Sequence, residues 1–219
     1  MDERVGVTDE VPAHRRRLPK QERSRRRVEA VLAAAHELVV EHGSEALTMT
    51  EVAARAGVSI GSVYQYFPDK PAILRELALR IMERVHHGLV DALAGIDSAP
   101  SAVERVDVAL AAYHEMFLSE PGIRDIWAAT QSDKELQRLD VEDSRDNGRA
   151  IARALTPFVA RRDRDRLEVL CLLHAHLAGS AARLALAVGG DEGRALMVEF
   201  RRSARRDLDA LLVEPRRRS

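Results

Sequence analysis

The chain reads as an all-α protein: an N-terminal three-helix head carrying a helix-turn-helix, then a larger helical body, about nine helices in all. Three observations predict this. Apolar residues recur at three- and four-residue spacing through most of the 219 residues. The alternation of β-branched residues that marks strands is absent, and aromatics make up only 4% of a chain rich in alanine and leucine. Residues 48–70 hold two short helices around one tight turn.

The chain starts polar and charged. Within residues 15–27, Arg15, Arg16, Arg17, Lys20, Arg23, Arg25, Arg26 and Arg27 face a single acid, Glu22, although the whole chain carries a net charge of −1. Residues 1–19 are expected to form a disordered basic arm. A first helix spans about Ser24 to His42 and ends at Gly43. Thr48 followed by Glu51 is a capping-box pair that starts the second helix, and Val52, Ala53 and Ala56 give it an apolar side. Gly57 ends it, because glycine accepts the left-handed conformation a sharp turn needs. Ser59 caps the third helix, Val63 and Phe67 point back to the core, and Pro68 stops it. A small residue at 53, glycine at 57 and a β-branched residue at 63 match helix-turn-helix spacing. The outward residues of the third helix are Ile60, Gly61, Ser62, Tyr64, Gln65 and Tyr66, none of them a carboxylate. Such groups can approach a groove and bond phosphate or base edges. A basic arm beside them is the electrostatic footprint of DNA binding, and Arg26 and Arg27 join the candidate contacts on charge.

Asp69 caps a fourth helix that runs to about Leu93, with Ile73, Leu74, Leu77, Ile81, Val85 and Leu89 on one face. A fifth spans about Ala102 to Leu118, closed by Glu120-Pro121-Gly122, and a sixth Ile123 to Thr130. A seventh runs from Ser132 or Asp133 to about Ala160; its apolar pattern weakens between Glu142 and Arg149 and Pro157 falls near its end, which leaves room for a kink or a break there. An eighth spans about Arg164 to Val188 and a ninth Glu192 to Val213. The expected division is 20–68 for the head, 69–213 for the body and 214–219 for a disordered tail.

These residues resemble the TetR/AcrR family of one-component transcriptional regulators. The resemblance rests on the basic arm, Leu-Thr-Met-Thr at 47–50, Ala-Gly-Val-Ser at 56–59 and Val-Tyr-Gln-Tyr-Phe-Pro-Asp-Lys at 63–70, and it is dense over about residues 20–80. It implies a third helix lying in the major groove. Ile60, Gly61, Ser62 and Gln65 then match the base-reaching positions, and Thr48, Thr50, Ser59, Tyr64, Tyr66 and Lys70 those that hold phosphate. Position 60 is Ile where a polar residue would read a base more sharply, which leaves Gln65 as main reader, most naturally of adenine, and leaves the operator sequence open. The resemblance further implies a cytoplasmic homodimeric repressor, released from a palindromic operator by a small-molecule effector bound among the later helices. A ligand-independent DNA-binding protein and an activator of the same fold are the alternatives.

Other classes fit poorly. No Gly-rich phosphate loop and no Gly-x-Ser-x-Gly occurs, so an enzyme is not expected. His174 and His176 are two apart on a helix and point to different sides, and adjacent His86 and His87 fail as a metal pair for the same reason. No metal or cofactor is expected. The single Cys171 reads as core. The eighth helix is apolar nearly all round from Leu167 to Val188; His174, His176 and Arg183 interrupt it, which favours a buried or subunit-facing helix over a membrane span. Ala175, Ala178, Gly179 and Ala182 there, with Met197, Phe200, Ala204 and Leu208 of the ninth helix, are the expected dimer interface. Candidate ligand contacts are Met82, His86, Tyr113, Met116, Phe117, Trp127, Gln131, Asn147 and His174: an apolar set with a few polar groups.

Overall fold

The structure, a computed structural model, describes residues 20–130 and 133–212; the arm at 1–19, the tail and Gln131 lie outside them. The helices are α1 (Lys20–His42), α2 (Met49–Ala56), α3 (Ile60–Tyr66), α4 (Lys70–Ala92), α5 (Ala99–Ser119), α6 (Pro121–Thr130), α7 (Lys134–Leu155), α8 (Arg164–Val188) and α9 (Gly190–Asp209). No strand occurs among the described residues; Val159 and Leu212 form an isolated antiparallel bridge.

The caps act as their residue types dictate. Thr48 Oγ1 accepts from the Glu51 amide at 3.2 Å. The Glu51 carboxylate accepts from the Thr48 hydroxyl at 2.7 Å, where a full capping box would use the backbone N–H. Gly57 sits at φ 65°, with Val58 N–H reaching Ala53 carbonyl at 3.1 Å, which sets the angle between α2 and α3. Ser59 and Asp69 cap α3 and α4 through the amides of Ser62 and Ala72.

α7 departs from expectation. It is continuous from Lys134 to Leu155, unbroken through 142–149, and it stops short of Ala160. The end is set by Pro157, which sits in a 3-10 turn, Thr156–Phe158. Gly148 brings α7 against α8: a Cβ there would stand 2.8 Å from the backbone nitrogen and Cα of Leu172.

The core is continuous from head to body. Val31, Leu32 and Leu38 of α1, Val52 of α2 and Val63 of α3 pack with Ile73, Leu74 and Leu77 of α4 and with Ile123 and Ile126 of α6. The same cluster extends to Met82, Phe117 and Trp127. A second cluster closes the far end, with Ile151, Leu155, Leu167, Cys171 and Leu208 at its centre. Ion pairs brace the outside: Arg80 of α4 to Glu29 of α1 at 2.8 Å, Arg55 to Glu41 at 2.7 Å, and Arg201 of α9 to Asp107 of α5 at 2.6 and 2.8 Å. The first two are exposed enough that each contributes about 0–1 kcal/mol.

Candidate functional site

Two surfaces and one cavity carry chemistry. The first surface is α3. Ile60, Gly61, Tyr64 and Gln65 are exposed, as are Thr48, Thr50 and Ser59 around it; Ser62 is half-buried. Val63 and Phe67 are buried behind them and hold the helix to the head. A Cβ at Gly61 would meet nothing within 4 Å, so the helix backbone is open to close approach there. Arg26 and Arg27 are exposed on α1, with Arg26 paired to Glu22 at 3.0 Å.

Two expected phosphate contacts are occupied otherwise. The Tyr66 hydroxyl accepts from Ser24 Oγ at 3.0 Å, and its half-buried ring packs on the head core, so it ties α3 to α1. Lys70 Nζ donates to the carbonyls of Ser44 at 3.3 Å and Glu45 at 2.9 Å, just beyond the end of α1. Local sequence spacing could not show either tie, because both partners lie more than twenty residues away.

The cavity lies in the body and has a volume of about 240 Å³. Its walls are Ile81, Met82, Val85 and Leu89 of α4, Tyr113, Met116 and Phe117 of α5, Trp127 of α6, and Ala175, Ala178 and Gly179 of α8. Phe117 meets Tyr113 and Trp127 edge to face, at centroid distances of 5.0 and 6.0 Å. The α7 side is polar: Asp140, Asp143, Ser144 and Asn147 line it. These positions share one helix face, which explains the weak apolar pattern that suggested a kink.

A hydrogen-bond chain orders that polar wall. Asn147 Nδ2 donates to Asp143 Oδ2 at 2.9 Å, and Asn147 Oδ1 stands 2.7 Å from His86 Nδ1, within hydrogen-bond distance. Ser144 Oγ donates to the Asp140 carbonyl at 2.8 Å and lies 3.1 Å from His176 Nδ1. Burial and then neighbouring Asp140 push the Asp143 carboxyl up to about 6. Burial likewise raises the Tyr113 hydroxyl far above its ordinary range.

Six of the expected ligand residues, Met82, Tyr113, Met116, Phe117, Trp127 and Asn147, line the cavity together, and His86 is bonded to one of them. His174 does not join them. It is buried against α9, with Nε2 3.1 Å from Asp207 Oδ2. Asp140, Asp143, Ser144 and His176 were missed; their signal was the repeat of polar residues three and four apart on α7.

The second surface lies on α8, and the expected interface residues need correction. Ala178, Gly179, Ala182, Met197, Ala204 and Leu208 are buried inside the protomer, and Ala175 lines the cavity. Small residues let helices of the same chain approach, so they face inward. The face left open carries Val169, Leu173, Leu177, Leu184 and Val188, all exposed, with Phe200 of α9 half-buried and Val198 exposed. The open stripe and a largely buried opposite face explain why α8 is apolar on all sides.

Residues 31–77 match the family model for bacterial regulatory proteins of the tetR family, and residues 100–212 match that for the tetracyclin repressor-like C-terminal domain. The HTH-type transcriptional repressor KstR of Rhodococcus jostii (strain RHA1) is 39% identical over 66 residues, which span 30% of this chain and only 29% of that repressor. A TetR-family transcriptional regulator from Streptomyces coelicolor superposes with a TM-score of 0.63 at 27% identity, over 85% of this chain and 99% of that one. One from Pectobacterium atrosepticum gives 0.66 at 23% identity, over 90% and 100%, a likeness of fold alone. The chain belongs to the TetR family: it is a DNA-binding transcriptional regulator with a helix-turn-helix head and a helical C-terminal domain.

Proposed function

We propose that the protein is a homodimeric repressor, acting in the cytoplasm, that leaves a palindromic operator when a small molecule fills the body cavity. The observation that carries this reading is the sharing of α4 and α6 between cavity and head. Ile81, Met82 and Val85 of α4 line the cavity, while Ile73, Leu74 and Leu77 on the same helix belong to the head core. Trp127 of α6 lines the cavity, and Asp125 of α6 accepts from the Ser44 amide at 2.8 Å, in the loop that precedes α2. A ligand that moves either helix therefore works on the position of α3. Release needs only that the ligand bind the two arrangements with different affinity.

The α8 stripe supports the dimer. An apolar face of this size, left open in water, is best covered by a second copy, and twofold pairing presents two α3 helices to a symmetric site. Gln65, Tyr64, Ser62 and Gly61 are the proposed groove residues, with Thr48, Thr50 and Ser59 at the backbone. The test is to pass fragmented DNA of the source genome over the purified protein and sequence what is retained. A recurrent palindrome supports the reading. Retention of unrelated sequences only would overturn it.

A further inference from the structure

The cavity has one feature that an apolar pocket does not need. Two carboxylates, Asp140 and Asp143, line the same wall, and among the described residues no Lys or Arg forms an ion pair with either. The nearest partner of Asp140 is the His176 imidazole at 3.9 Å. Asp143 is met by an amide, Asn147, rather than a cation.

The other charged groups around the cavity are already engaged. Arg84 of α4 lines it, but its guanidinium pairs with Glu120 at 2.7 Å. Arg183 of α8 approaches from the Tyr113 side and donates to Ser180 Oγ at 3.0 Å. His86 is bonded to Asn147, and His176 to Ser144. Asp146 stands further along α7, beside Arg149. Beside the acidic wall stand only two imidazoles, His176 near Asp140 and His86 near Asp143, and no Lys or Arg pairs with it among the described residues.

A second observation points the same way. The Tyr113 hydroxyl lies beside Gly179 in the wall of the cavity, on a half-buried side chain. A phenol hydroxyl at a cavity wall can donate to or accept from whatever enters. Opposite lie Phe117, Trp127, Met82 and Met116, a surface suited to an apolar body.

We propose that the cavity is built for an organic cation: a protonated amine on an apolar body, its ammonium set against Asp143 and Asp140 and its tail among the aromatic and methionine side chains. An unpaired carboxylate in a pocket is stabilised when a cation arrives, so the same groups that are unfavourable when the site is empty become the source of selectivity. Neutral and anionic compounds of equal size gain no such term. This deepens the ligand-released reading of the same cavity and rests on it only for the consequence on DNA.

The test uses three probes of one chain length: octylamine, octanol and octanoate. Trp127, the only tryptophan in the chain, lines the cavity and reports occupancy by its fluorescence. Octylamine is expected to bind at least about tenfold more tightly than either analogue at neutral pH. Asp143→Asn should remove most of that advantage while leaving octanol binding unchanged, which separates charge recognition from loss of the fold. Amine binding no tighter than octanol binding, absent binding included, or an advantage that persists in Asp143→Asn, overturns the proposal. Adding octylamine to the operator complex then separates the two readings. Charge-selective binding without release of DNA leaves this inference standing and removes octylamine as an inducer; release by octanol and octanoate as readily as by octylamine does the reverse.

Discussion

Replacing Asp143 by asparagine should make the ligand-free protein more stable, and only above acid pH. The folded state holds this carboxyl at about 6, up from an ordinary 3.8, with burial the main cause and Asp140 the next. A raised carboxyl means that the folded state binds a proton the unfolded chain has lost between about pH 4 and 6. Stability therefore falls as pH rises through that window and stays low above it. A shift of about two units corresponds to at most about 3 kcal/mol. Asp143 is only half-buried by surface, and the cavity side is the open one, so solvent screening reduces the expected gain to about 1–2 kcal/mol. Asparagine keeps an oxygen to accept from Asn147, so the hydrogen bond at 2.9 Å survives the change. For a protein of this length the gain is about 2–8 °C in Tm. The assay is thermal melting of both proteins at one fixed concentration, from pH 4 to 8, because the proposed dimer would make Tm depend on concentration. The two curves should meet near pH 4 and separate to a plateau near pH 7. A difference that does not change with pH, or a variant less stable at pH 7, would refute the account of this carboxyl.

Four further outcomes follow from the same geometry. Gln65→Ala should change which base is preferred at one position of each half-site by about 1–3 kcal/mol, read by selection from randomised operators; an unaltered preference removes it from the base readers. Leu177→Asp, in the middle of the α8 stripe, should give monomers by light scattering with helical content intact, whereas a persistent dimer would place the interface elsewhere. Gly148→Val should destabilise by more than about 2 kcal/mol in denaturant titration, because its Cβ would meet the Leu172 backbone, which cannot swing aside as a side chain can. Asp125→Ala should cost about 1–3 kcal/mol by leaving the buried Ser44 amide without its acceptor, and an unchanged midpoint would show that this link carries no weight.

How much of this the sequence revealed depended on the range over which each signal acts. Capping and turn chemistry are local, so Thr48, Gly57, Ser59 and Asp69 marked the head correctly, and the span of α8 was legible to the residue. The exposed outer positions of α3 followed from the same local periodicity. The cavity was half legible. Its aromatics stood out as large residues one turn apart, but its acids looked like an interrupted apolar face, because periodicity cannot tell a polar cavity wall from solvent. The interface residues were misplaced for a related reason. A stripe such as Ala178 and Ala182 announces that something approaches closely, not whether it is another chain; here it is the chain's own helices. Tyr66 and Lys70 were read from their place beside the groove, and their ties to Ser24 and to the Ser44–Glu45 carbonyls depend on tertiary contact alone.

The continuity of the core has a consequence for modular engineering. A fragment ending at residue 68 would strip Val31, Val52 and Val63 of the α4 and α6 side chains that cover them. Those residues are at most 0% exposed in the whole chain, so the fragment would present a bare apolar floor and associate or unfold rather than bind DNA alone. A head exchanged between relatives must therefore bring along the inward faces of α4 and α6, or be repacked against new ones. The helix-turn-helix and the cavity can be recombined with those of relatives only by keeping that seam intact.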